Sequence, residues 1–235
     1  MTCDISIVIP LYNTAAIMEN NVRALLTYLE TSKRSYEILL RDDGSQDNTK
    51  AILKRFSHLY PVITCFFNLT NEGLGSTLRK LFDAAKGQYI VYLDCDLPFG
   101  VEVLARLLEE VTRYDIVVAS RYHTKNSVQP LRRLLSRLYY LICRLLFDVP
   151  VKDIGSGTVV LRNNALRRLK LTACGFDIHI EMFVQAERQQ LRIQEVPANF
   201  SPTQGGSFSI LRHGPAVVQD TWNFYQKVRS NHRQV

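Results

Sequence analysis

The chain of 235 residues has room for one sizeable domain or two small ones. Its 46% apolar and 22% charged residues exclude a disordered, collagen-like or low-complexity chain. The formal charge of +7, from 29 Lys and Arg against 22 Asp and Glu, suits an anionic partner (nucleic acid, a nucleotide, a phosphate ester, a membrane surface) and equally a solvated basic surface.

In chain order, Ile5 to Ile9 is a short β-branched run closed by Pro10, which predicts a buried strand. From Ala15 to Glu30, Met18, Val22, Leu25, Leu26 and Leu29 recur at helical spacing. Tyr36 to Leu40 reads as strand. Asp47-Asn48-Thr49 offers capping oxygens to a helix carrying Ile52, Leu53, Phe56 and Leu59. Val62 to Phe67 is strand, and Leu74, Leu78, Leu81, Phe82 and Ala85 mark a helix that Gly87 stops. Tyr89 to Leu93 is strand, a helix carries Leu104, Leu107, Leu108 and Val111, and Asp115 to Ala119 is strand. The second half predicts a long helix from Pro130 to Phe147, strand from Thr158 to Leu161, helix from Ile178 to Gln190 and strand from Ile193 to Val196. Ser201 to Gly214, rich in Gly and Ser and without period, reads as a mobile loop, and Pro215 to Val228 as a closing helix begun by its proline.

This alternation predicts an α/β fold with βαβ units and a mainly parallel central sheet flanked by helices. Ligands of such sheets bind beyond the carboxyl ends of the strands. The segments to search are therefore Pro10–Asn13, Arg41–Asp47, Asn68–Ser76, Asp94–Gly100 and Ser120–Gln129. Five scattered cysteines without a CxxC pair read as reduced thiols of a cytosolic protein. There is no signal-peptide pattern and no charge-free window of about 20 residues. The expectation is a chain that is soluble or lies on a membrane without crossing it.

Three strand-end motifs carry chemistry. Asp94-Cys95-Asp96 sets two carboxylates where both can face one divalent cation, and Mg²⁺ or Mn²⁺ suits such hard oxygen ligands. Two turn aspartates capping the next helix would look the same. Arg41-Asp42-Asp43-Gly44-Ser45 can hydrogen-bond a nucleobase or ribose, or form a polar turn. Asn71-Glu72-Gly73-Leu74-Gly75 opens a helix and can present amides to an anion, or cap the helix. It is neither GxGxxG nor a Walker loop. His179 and His213 lack metal-ligand spacing and read as structural or surface residues, and Trp222 as core.

Taken in order, Pro10-Leu-Tyr-Asn13, Asp42-Asp-Gly-Ser45, Asn71-Glu-Gly-Leu-Gly75 and Asp94-Cys-Asp96 resemble the nucleotide-sugar half of family-2 glycosyltransferases of the GT-A fold. Ser120-Arg-Tyr122, Arg132-Arg-Leu-Leu-Ser-Arg137, Asp153-Ile-Gly-Ser-Gly157, Phe176-Asp-Ile-His-Ile-Glu181 and Glu195-Val-Pro197 resemble the dolichol- or polyprenyl-phosphate sugar transferases. The resemblance runs from about Asp4 to about Ser209. It departs at Pro98, where those relatives usually carry a metal-supporting Gln, and at Phe208, where they carry Lys. Many relatives also continue into transmembrane helices.

The resemblance implies a single Rossmann-like GT-A domain over 1–235. Residues 1–119 would form the nucleotide-sugar half, 120–214 the acceptor half, and 215–235 a closing helix and tail. It implies an inverting, metal-dependent transferase that moves a hexose from a GDP- or UDP-linked sugar to polyprenyl or dolichyl phosphate at the cytosolic membrane face. Asp94 and Asp96 would hold Mg²⁺ or Mn²⁺. Pro10, Tyr12, Asn13, Asp42, Asp43, Gly73 and Asp94 would bind the nucleotide. Arg121, Arg132, Arg133 and Ser207 would hold the acceptor phosphate, with Asp153 and Arg121 beside the paired aspartates in the catalytic set. The implied partners are the sugar donor, the lipid phosphate, a membrane-embedded protein and the membrane itself, but no nucleic acid.

Chemistry bears on the acceptor. A lipid monophosphate, with a second pKa of about 6, is largely a dianionic nucleophile at neutral pH and needs cations more than a base. From Arg121 to Phe147 there are six Lys or Arg and no Asp or Glu. The 130–147 helix combines a wide leucine face with Arg132, Arg133, Arg137 and Arg144 and with Tyr139 and Tyr140. That composition fits an anionic membrane interface, and also a core-packing helix. A glycan or other hydroxyl acceptor, as in surface polysaccharide synthesis, would require a base, for which Asp153 and Glu181 are the candidates. Glu181 otherwise reads as a buried ion-pair partner for an arginine. A third possibility is a non-catalytic binder of anionic lipid or nucleic acid on the same scaffold.

Overall fold

The structure, a computed structural model, describes residues 3–123, 130–201 and 210–231. The strands are β1 (Ile5–Leu11), β2 (Tyr36–Asp42), β3 (Ile63–Phe67), β4 (Tyr89–Leu93), β5 (Ile116–Ser120), β6 (Thr158–Arg162) and β7 (Ile193–Pro197). The helices are α1 (Ala15–Glu30), α2 (Thr49–Leu59), α3 (Leu74–Ala84), α4 (Val103–Glu110), α5 (Pro130–Phe147), α6 (Asn163–Leu166), α7 (Ile178–Arg188) and α8 (Ile210–Asn231), with a 3₁₀ turn at Arg121–His123. The strands form one sheet in the order β3-β2-β1-β4-β6-β5-β7. All pairings are parallel except those of β6, which runs antiparallel to both β4 and β5.

Side chains alternate across each strand, so β1 feeds two cores. Ile5, Ile7 and Ile9 pack with Met18, Leu25 and Leu29 of α1 and with Phe56 and Leu107 of α2 and α4. Val8 points the other way, among Leu78 and Leu81 of α3 and Ile180 and Phe183 of α7. A strand covered on both faces needs apolar residues at every position, which is why Ile5 to Ile9 shows no polar alternation beyond Ser6. Removing a fully buried side chain such as Leu25 would cost about 2–5 kcal/mol.

Two boundaries differ from the sequence reading. Pro10 does not end β1. The strand runs on to Leu11, paired with β2 alone, because the β4 register stops at Val8 and no ladder bond is asked of the proline on that side. The last helix starts at Ile210 rather than Pro215, which lies inside it. Residues 210–214 of the expected loop are thus helical, while 202–209, Ser207 and Phe208 included, lie outside the described residues. The short α6 and the 3₁₀ turn carry too few residues to show a period. Trp222, expected in the core, is 52% exposed on α8.

The reversed strand positions the site. Thr158 opens β6 opposite Leu93, the last residue of β4. The 153–157 loop therefore enters at the carboxyl edge of the sheet, beside the residues that leave β4 and β5.

Candidate active site

A cavity of about 940 Å³ opens at that edge. Residues from all five strand-end segments line it, among them Pro10 and Tyr12 after β1, Asp43 after β2, Gly73 before α3, Asp94 and Asp96 after β4, and Arg121 after β5. Asp153, Gly155 and Gly157 close one side, and Leu138, Tyr139 and Ile142 of α5 with Val217 and Val218 of α8 form an apolar wall.

Asp94 is held from three directions. Its amide donates to the Gly157 carbonyl at 2.7 Å. Its Oδ1 accepts the Tyr92 hydroxyl at 2.5 Å. Oδ2 lies against Gly157, where no Cβ would fit. The turn closes through Leu97, whose amide bonds the Asp94 carbonyl at 3.1 Å and whose φ of +44° is unusual for a leucine. Burial pushes the Asp94 carboxyl above its usual range, opposed by the Tyr92 hydrogen bond and the Arg121 charge. A carboxylate that burial disfavours, two residues from a second one, suits a hard dication that offsets the penalty. Among the described residues no group of three or more His, Cys, Asp or Glu could hold a metal, so a cation at this pair would complete its shell with substrate oxygens and water.

Arg121 and Asp153 form a buried ion pair at 2.7 Å, their side chains 12% and 1% exposed. Both Asp153 oxygens accept from Arg121 Nε, one also from its Nη2 and the other from its backbone amide. Burial works against the guanidinium charge, and the Asp153 carboxylate more than offsets it, holding Arg121 above its ordinary value. The Phe200 ring lies 4.9 Å from the same guanidinium, stacked edge-on with Phe99 at 5.6 Å. Glu195 on β7 accepts the Lys152 and Asp153 amides and so fixes the loop from below. Asp153 is thus engaged by an arginine and is not poised as a free base.

On the donor side, the two aspartates after β2 divide. Asp43 lines the cavity, but its oxygens take the amides of Glu72 and Gly73 and the Asn68 side chain. Asp42, 1% exposed, lies outside the lining and accepts the Ser45 amide at 3.2 Å. Asn13 is also outside it: at φ +52° its Oδ1 takes the Gln46 amide, tying the β1 and β2 ends together. Its neighbour Tyr12 is 39% exposed at the cavity.

The glycine-rich start of α3 is not an open anion site. The amides of Gly75 and Ser76 both bond the Cys174 carbonyl. A Cβ on Gly73 would strike that carbonyl, and one on Gly75 would come 2.5 Å from the Ala173 carbonyl. These glycines admit the 173–175 segment. Likewise Asp47, rather than the N-cap Asn48, does the capping, bonding the Thr49 and Ala15 amides. Among the described residues Glu181 meets no arginine; it caps the amides of Thr172 and Ala173, each at 2.7 Å. His179 is buried on the cavity floor against Tyr92 and not on the surface. The side chains of Arg132 and Arg133 lie outside the described residues, although their backbone belongs to α5.

The architecture is the GT-A glycosyltransferase fold. Mannosyl-3-phosphoglycerate synthase from Rubrobacter xylanophilus matches with a TM-score of 0.75 at 15% identity, over 98% of this chain and 76% of its own. Glucosyl-3-phosphoglycerate synthase from Mycobacterium tuberculosis, solved with Mn²⁺, UDP and glucosyl-3-phosphoglycerate, matches with a TM-score of 0.68 at 18% identity, over 90% of this chain and 75% of that one.

The chain belongs to glycosyl transferase family 2, which it matches over residues 6–170. It is 28% identical to the glycosyltransferase AglD of Haloferax volcanii over 98% of its length, and 28% identical to a dolichol-phosphate mannosyltransferase of Pyrococcus furiosus over 89%. The matched regions are 39% and 62% of those two proteins.

Proposed function

We propose that the chain transfers a hexose, with inversion and with a divalent metal, from a GDP- or UDP-linked sugar to a polyprenyl or dolichyl phosphate at the cytosolic membrane face. The observation that carries this is one cavity holding the Asp94–Asp96 pair, the Arg121 cation and the apolar wall of α5 and α8. The Pyrococcus relative, named for dolichol phosphate, points to the same acceptor.

In this reading Asp94 and Asp96 would hold Mg²⁺ or Mn²⁺, which when bound would supply Lewis-acid chemistry to offset charge on the leaving nucleoside diphosphate. Tyr12, Pro10, Asp43 and Gly73 border the base and ribose. Asp43 acts chiefly by ordering the Glu72–Gly73 backbone against which they rest. Arg121, kept positive and oriented by Asp153, draws the acceptor phosphate toward the anomeric carbon. Arg132, Arg133 and Ser207 are assigned to the same phosphate by resemblance.

The isoprenoid lies along the wall where Leu138 and Ile142 are 53% and 43% exposed, and α5 rests on the membrane. No described helix is long and apolar enough to cross a membrane. A hydroxyl acceptor is less well served, since Asp153 and Glu181 are both committed to other partners.

The test is calorimetric titration with GDP-mannose, UDP-glucose and UDP-N-acetylglucosamine, with Mn²⁺ or with chelator, on the wild type and Asp96→Ala. Binding of one donor that needs Mn²⁺ and fails in Asp96→Ala is expected. Absence of donor binding under every condition overturns the reading.

A further inference from the structure

Tyr92 occupies a position on β4 where fold alone asks only for an apolar side chain. It is fully buried in the core beneath the sheet, yet its hydroxyl reaches the cavity edge and donates to Asp94 Oδ1 at 2.5 Å. His179 of α7 stacks on the ring, with centroids 5.7 Å apart and planes 26° from parallel. Its Nε2 lies 3.3 Å from the phenol oxygen. The ring therefore cannot swing without displacing a second buried ring, and the hydroxyl is held at one point. On the opposite side of the carboxylate stands Gly157, whose missing Cβ makes the room that Oδ2 occupies. Asp94 is seated between a fixed donor and a bare backbone.

We propose that Tyr92, braced by His179, is a positioning residue that sets the rotation of the Asp94 carboxylate and so presents its remaining lone pairs to the divalent cation. The inference rests on the metal-dependent reading above. Asp94 sits at the end of a strand with a rotatable χ2, and a carboxylate free to turn would lose orientational entropy on each binding event. Donors that orient metal ligands typically matter 10–100-fold in metal affinity. Tyr92 and His179 need not touch nucleotide or sugar to act this way.

The test titrates Mn²⁺ by loss of its free electron-paramagnetic signal, with UDP or GDP present. The proteins are wild type, Tyr92→Phe, His179→Phe and Asp94→Asn, with thermal melts in chelator alongside. Tyr92→Phe keeps the ring and removes only the donor. It is expected to weaken Mn²⁺ binding about 10–100-fold. His179→Phe keeps the hydroxyl but loosens its brace, so a smaller loss in the same direction is expected. Mn²⁺ affinity unchanged in Tyr92→Phe, with only a lowered melting temperature, overturns the positioning role and leaves a merely structural hydroxyl. If the wild type itself binds no Mn²⁺ that Asp94→Asn abolishes, the metal-dependent reading has failed instead, and this inference with it.

Discussion

Replacing Gly157 by alanine should disable the site while leaving the fold nearly intact. An ideal Cβ at this position would overlap Asp94 Oδ2 and Cγ outright and lie 2.8 Å from the Asp94 Cβ, where real Cβ contacts stay beyond 3.0 Å. The backbone neighbour cannot retreat, because the Gly157 carbonyl holds the Asp94 amide at 2.7 Å. The carboxylate must therefore move by about 1 Å and surrender the Tyr92 hydroxyl, and a misplacement of about that size in a reacting site can cost about 10²-fold in rate.

On stability, the same methyl adds about 1–3 kcal/mol of overpacking against a gain of about 0.4–1 kcal/mol from a stiffer unfolded chain. The net cost is then roughly 0–2.6 kcal/mol, at most comparable with the ~2.7 kcal/mol that a 10²-fold loss of rate represents, so a melt is run beside the assay. Gly155→Ala is the control: a Cβ there comes no nearer than 4.0 Å to Arg121 Nη2. The assay is sugar transfer together with calorimetric donor binding, in Mn²⁺ and in chelator. A Gly157→Ala protein that turns over like the wild type with unchanged metal dependence would refute the placement of Asp94 on which the site reading stands.

Asp153→Ala strands a buried Arg121 cation, and unfolding in urea should show a loss of about 3–5 kcal/mol, much of it recovered in Asp153→Ala/Arg121→Met. Burial lowers the His179 pKa to about 4, so between pH 6.5 and 4 the unfolded chain binds a proton that the folded one refuses. Stability attributable to His179 therefore falls as pH drops through that window, by about 3 kcal/mol in all, and the difference between wild type and His179→Gln in urea midpoints should become independent of pH above about pH 7. On α5, Leu138 and Leu141 are 53% and 58% exposed. Leu138→Glu/Leu141→Glu should abolish sedimentation with anionic vesicles while leaving the melting temperature unchanged, and retained sedimentation would rule out this face as the membrane contact.

The strand and helix positions were legible because burial on both sheet faces demands unbroken apolar runs in strands and one-sided spacing in helices. Asp94, Asp96 and Arg121 were legible because they stand directly after strands whose ends the pattern marks. Other roles were not. Asp42 and Asp43 look interchangeable in sequence, and only the extension of β2 to Asp42 decides which of them meets the cavity. Asn71 to Gly75 carries the composition of an anion loop, but the Glu72 and Gly73 amides go to Asp43 and the Gly75 amide to the Cys174 carbonyl, about a hundred residues away, which no local rule anticipates. Tyr92 was hidden by its own ring, which scores as one more apolar residue in Tyr89 to Leu93, with nothing to reveal that its hydroxyl faces a carboxylate. Trp222 misled in the reverse sense, since size and hydrophobicity say nothing of which face of α8 meets the protein.

The reversal of β6 explains why the two halves of the chain make one site. A parallel strand in that place would deliver its preceding loop to the amino edge of the sheet, away from every other strand-end segment. Run antiparallel, Thr158 pairs with Leu93, and the loop before it meets the turn after β4 head to head. Gly157 then abuts Asp94, and Asp153, four residues upstream, reaches the arginine that follows β5. One short loop thus seats a proposed metal ligand at one end and charges an arginine at the other, with Glu195 of β7 anchoring its backbone. The consequence is mechanical: donor and acceptor groups share a rigid support, so loosening the loop should impair both at once. Glu195→Gln, which weakens the anchoring of the Lys152 and Asp153 amides without touching the cavity lining, is expected to raise the apparent dissociation constants for metal and for acceptor together; a change in one alone would show that the two ends of the loop act independently.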